Sequence, residues 1–72
     1  MHTQRIVLDV EAFDTMAAEV GLTSEYAIAK RMGVAHTTVR DARLGKTVGQ
    51  RFIAATKVAF DVPFERVFKV AA

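Results

Sequence analysis

The stretch "YAIAKRMGVAHTTVRDARLG", residues 26–45, decides how this chain reads. Ile28, Ala29 and Met32 recur at helical spacing up to Gly33; Val34 follows, and then a segment crowded with threonine and arginine. Glycine takes the left-handed backbone that stops a helix with little strain. Two short helices joined by a tight turn are therefore expected, over about 24–32 and 35–44. Crossing helices need a small residue where they touch, and Ala29 supplies it. They also need apolar plugs on both sides of the turn, which Ile28, Met32, Val34 and Val39 provide. Thr38, Val39 and Ala42 lie on or near the buried side of the second helix. That leaves His36, Thr37, Arg40 and Asp41 for its exposed side.

The flanking elements follow from similar signals. "QRIVLD" (4–9) is short, β-branched and alternating, a brief strand with Ile6 and Leu8 on one face and Val7 on the other. Asp9 has the chemistry of a helix N-cap, with Glu11 in the first turn, where the helix dipole favours an acid. Val10, Phe13, Met16, Ala17 and Val20 form one face of a first helix, closed by Gly21. Thr23 or Ser24 caps the second helix, and Tyr26 is a further candidate for its inward face. Gly45 stops the third helix and opens the loop "GKTVG". A fourth helix spans about 49–60 with Phe52, Ile53, Thr56, Ala59 and Phe60 at apolar spacing. Pro63 starts a last turn carrying Phe64, Val67 and Phe68. The tail "FKVAA" reads as a strand that pairs with "RIVL", since two isolated apolar chain ends need a partner.

Seventy-two residues suit one domain near the lower limit for a single core. The absence of cysteine excludes disulfides and thiolate metal sites, and two histidines far apart in sequence argue against zinc. No apolar run approaches the roughly 20 residues of a membrane span. The first residues lack a signal peptide's apolar segment, so a soluble, cytoplasmic protein is expected. Net charge is only +2, but it is unevenly placed. Residues 1–29 hold one base, Arg5, against five acids; residues 30–57 hold seven bases against Asp41 alone, a net of +6. A basic block in a near-neutral chain suits a polyanion partner as well as an ordinary solvated face.

"SEYAIAKRMGVAHTTVRDARLGK" (24–46) resembles the helix-turn-helix of phage repressor, Cro and XRE-type regulators. "AFDVPFERVF" (59–68) is similar to the close of such domains, and the resemblance spans about 9–68. It implies a mainly α, lambda-repressor-like or Cro-like domain of four to five helices, here with a two-stranded β ribbon from the chain ends. It implies sequence-specific binding of double-stranded DNA, a role as a transcriptional regulator of the repressor or Cro kind, and a homodimer on a palindromic operator. Two positions depart from the family. Where members often begin the second helix with glutamine, this chain has Glu25; where many carry an acid near the end of the recognition helix, it has Arg43.

Within that frame Arg40 is the foremost base reader, because its planar fork matches O6 and N7 of guanine. Thr37 suits a thymine methyl or a phosphate; His36 can donate to a base or a phosphate; Asp41 can accept from cytosine N4 or orient Arg40. Phosphate candidates are Thr23 and Ser24 at the start of the second helix, Thr38 and Arg43 on the third, and Lys46, Thr47, Gln50 and Arg51 beyond it. For Thr38, packing and capping of the turn is the competing role. Catalysis is not expected: there is no cysteine, Ser24 is the sole serine, and "GKT" (45–47) lacks the earlier glycine of a phosphate-binding loop. No cofactor or metal is expected. The alternatives are a protein-interaction module, such as an antitoxin or phage adaptor on the same scaffold, and an architectural or excision factor. Salt separates DNA binding from the first of these, since phosphate contacts weaken steeply with it.

Overall fold

The computed structural model describes residues 4–71. In chain order the elements are β1 (Arg5–Leu8), α1 (Val10–Glu19), α2 (Glu25–Met32), α3 (His36–Arg43), α4 (Gln50–Phe60), α5 (Phe64–Val67) and β2 (Phe68–Ala71). Helix starts follow side-chain chemistry where the sequence offers it. Asp9 caps α1 by accepting the Ala12 N–H at 3.3 Å, and Ser24, not Thr23, caps α2 by accepting from Ala27 at 3.1 Å. Gly33 ends α2 in the left-handed region (φ 72°). Nothing lies within 4 Å of the place a Cβ would occupy there, so glycine is required by backbone conformation alone. Asp61 ends α4 at φ 51°, a conformation that aspartate tolerates better than most side chains.

The chain ends form the ribbon that the sequence leads one to expect. β1 and β2 pair antiparallel, Arg5 opposite Ala71 and Leu8 opposite Phe68. The Asp9 N–H donates to the Val67 carbonyl at 2.8 Å, joining the end of α5 to the α1 start. A single core lies beneath the helices, with Phe13, Val39 and Val67 fully buried and Leu8, Met16, Ala17, Ile28, Ala29, Phe52 and Phe68 around them. Phe13 meets Phe52 and Phe60, and Phe68 stacks on Phe64 at 5.2 Å between centroids. Thr56 is the one buried polar side chain among the described residues; its hydroxyl donates to the Phe52 carbonyl at 2.9 Å, which satisfies it within its own helix.

Several side chains depart from the periodicity. Val20 is 48% exposed because α1 stops at Glu19 and the chain turns off the face before reaching it. Tyr26 is 68% exposed and lies outside the inward face of α2. Val7 is buried although it points away from Leu8; its cross-strand neighbour is Lys69, whose methylene stem shares that face. Phe68 belongs to β2 instead of the α5 face, yet remains buried. Thr38 is exposed, not buried with Val39 and Ala42. None of the helices among the described residues is long and apolar enough to cross a membrane.

Candidate nucleic-acid interface

α2 and α3 are joined by three residues, Gly33 to Ala35. After Gly33 the Val34 N–H returns to the Ala29 carbonyl at 3.1 Å, and the Ala35 carbonyl receives the Thr38 and Val39 N–H groups. These bonds satisfy the turn's backbone and fix the start of α3. α3 buries Val39 and Ala42 against Ile28 and Ala29 of α2 and the core beyond. The rest of its circumference divides into three strips.

The first strip faces α1 and α2. Arg43 donates Nε–H and Nη2–H to the two carboxylate oxygens of Asp14 at 3.1 and 2.7 Å, and Nη1–H to Glu25 Oε2 at 2.8 Å. One guanidinium thus ties α3 to α1 and α2. Two carboxylates, Asp14 first and Glu25 second, raise the Arg43 pKa above its ordinary value. The hydrogen bond from Arg43 in turn holds the Glu25 carboxyl below its ordinary value of about 4.5, against an opposing contribution from desolvation; His36 adds to the lowering. His36 Nε2 lies 3.4 Å from Glu25 Oε1, and its ring meets Tyr26 edge-on at 6.3 Å between centroids. Arg43 was expected to be a phosphate contact; its fork is instead occupied within the protein, so it is an interhelical tie. Glu25, which as a free carboxylate would repel a phosphate, is partly neutralised by the same bond.

The second strip faces the start of α4. Thr38 and Asp41 line a groove with Thr47, Val48 and Gly49. Asp41 lies 3.5 Å from Lys46 Nζ and makes no hydrogen bond to Arg40. Thr38 and Arg51 also border the groove between the Gly33 turn and α4. Gly49 precedes α4 without a side-chain cap, which leaves the first N–H groups of that helix beside Gln50 and Arg51 with no side-chain acceptor.

The third strip points away from the protein. It carries Thr37, Arg40 and Leu44 at i, i+3 and i+7. Arg40 has no ion-pair or hydrogen-bond partner among the described residues, and neither do Lys30, Arg31, Arg51 and Lys57. Leu44 is 69% exposed at the end of this strip. Its place beside the helix-ending Gly45 hides it in the sequence, although its seven-residue spacing from Thr37 marks it as part of this strip. Thr23 and the Ser24 hydroxyl are exposed at the α2 start, with the Ser24 oxygen already accepting the capping bond. No group of metal-ligating side chains occurs among the described residues.

No protein-family model matches this chain, and no match is found among curated proteins or solved structures.

Proposed function

We propose that the protein binds double-stranded DNA in a sequence-dependent way, with α3 in the major groove, and acts as a transcriptional regulator of the repressor or Cro kind. The observation that carries this reading is the outward strip of α3. Thr37 and the unpartnered Arg40 stand clear of a helix that is otherwise anchored on α1 and α2. Base reading needs a donor fork held out on a rigid element, and Arg40 on α3 satisfies that requirement. Phosphate contacts then fall to Thr23 and Ser24 at the α2 start and to Lys46, Thr47, Gln50 and Arg51 around the α4 start, where basic side chains and free helix N–H groups coincide. His36, bridged to Glu25, and Asp41, beside Lys46, are flanking contributors.

One such helix reads few base pairs, so the protein acts as a homodimer on a two-fold site. Exposed Tyr26, Leu44 and Val58 are the apolar groups that a protein-binding face would use instead. Selection of bound duplexes from a random library at two salt concentrations separates the readings. A two-fold motif with affinity falling steeply in salt is expected. Binding that is lost at moderate salt without any enriched sequence would contradict sequence reading and point to an architectural role; no duplex binding at all would leave the protein-binding face.

A further inference from the structure

Arg5 is the sole base in the first 29 residues, in a segment otherwise acidic. In the fold it leaves that segment. β1 is stitched to the loop after α3 by the Val48 N–H, which donates to the Ile6 carbonyl at 2.9 Å. The loop is fixed at its other end by Gly45 N–H to Ala42 and Lys46 N–H to Asp41. Strand geometry then carries Arg5 alongside it. Arg5 Nη1 lies 3.4 Å from the Gly45 carbonyl oxygen and 3.5 Å from Thr47 Oγ1. Both contacts are at the long limit of a hydrogen bond and go to neutral groups, and no carboxylate among the described residues pairs with this guanidinium. Most of its five donors remain available.

We propose that Arg5, Lys46 and Thr47 form a binding site for a backbone phosphodiester at the C-terminal end of α3; this rests on the DNA-reading proposal above. The charge balance makes Arg5 the decisive member. Asp41 lies 3.5 Å from Lys46 and offsets part of its charge, whereas no carboxylate among the described residues stands beside Arg5. Its planar fork takes two phosphate oxygens, Lys46 adds a point charge, and Thr47 supplies a hydroxyl donor. The site sits where the outward strip of α3 ends at Leu44, so a phosphate held there sets how deeply Arg40 enters the groove.

The test measures the salt dependence of affinity for the selected duplex with wild type, Arg5→Gln and Arg5→Lys. On a two-fold site the substitution removes one phosphate contact per protomer, so the slope of log affinity against log salt falls by about 1.8, and between 50 and 200 mM salt wild type loses about 12-fold more affinity than Arg5→Gln. Base preference stays the same in both, and Arg5→Lys restores the slope. If Arg5 only braces the loop, Arg5→Gln lowers the Tm and leaves the slope at the wild-type value, which overturns the proposal. A wild-type protein that binds no duplex overturns the DNA reading and this site together, whereas sequence-dependent binding with an unchanged slope in Arg5→Gln removes this site alone.

Discussion

Arg40 and Arg43 lie three residues apart on one eight-residue helix, and they do different work. Arg43 points back into the protein and donates three hydrogen bonds to Asp14 and Glu25. Arg40 points outward and meets no partner among the described residues. The difference is one of reach: residues three apart sit only about 60° from each other round the helix, but Arg43 lies at the edge of that face where Asp14 and Glu25 are within hydrogen-bond distance, and Arg40 does not. A basic block counted from sequence therefore overstates the charge that a ligand meets. Of the seven bases in 30–57, Arg43 is neutralised from within and Lys46 is shared with Asp41, while Arg5 joins the same end of the molecule from outside the block.

The contrast can be broken from either side. Arg40→Ala has the largest expected effect: a bidentate base contact contributes about 1–3 kcal/mol of discrimination, or roughly 5- to 150-fold. That loss should fall on one base pair per half-site, with the Tm unchanged, as titration of matched and mismatched duplexes and a thermal melt would show. Arg43→Met should do the reverse. The Asp14 half of its interaction is partly solvated and contributes on the order of 1 kcal/mol, or about 4–8 °C in Tm for a domain of this size. The folded fraction should keep its base preference and its salt slope. An unchanged Tm would mean that the tie contributes nothing.

Gly33→Ala tests the turn that sets the angle between the two helices. Space for the methyl is open, so the cost is backbone strain alone, about 1 kcal/mol in chemical denaturation. A markedly larger loss would mean that the turn is packed more tightly than its surroundings indicate. The smallest effect is expected from Glu25→Gln. Because Arg43 holds the folded carboxyl below its unfolded pKa, the stabilisation from Glu25 is whole above about pH 4.5 and disappears as pH falls through the lowered value. The variant should be slightly less stable than wild type at pH 7, and the gap should narrow on acidification to pH 3. A gap that widens toward acid would contradict the pairing.

Local signals in the sequence were sufficient for the elements. Asp9 and the Ser24 region as caps, Gly33 as the turn and the strand character of both ends all concern neighbouring residues, and the structure carries each of them. What the sequence did not carry was pairing across distance. Nothing near Arg43 indicates that Asp14, 29 residues earlier, will meet it, or that Arg5 will reach a loop 40 residues away. Periodicity also says which side of a helix is apolar without saying where the helix stops, which is why Val20 was placed inside and lies outside. Exposed Leu44 was legible by spacing from Thr37 but masked by its position beside the helix-ending Gly45.

The division of labour on α3 is tested most directly by measuring Arg40→Ala and Arg43→Met side by side on one selected duplex and its single-base variants, below both melting temperatures. Arg40→Ala is expected to lose discrimination at one base pair per half-site while Arg43→Met discriminates as wild type does. Equal discrimination by Arg40→Ala and wild type, or loss of it in Arg43→Met, would contradict it.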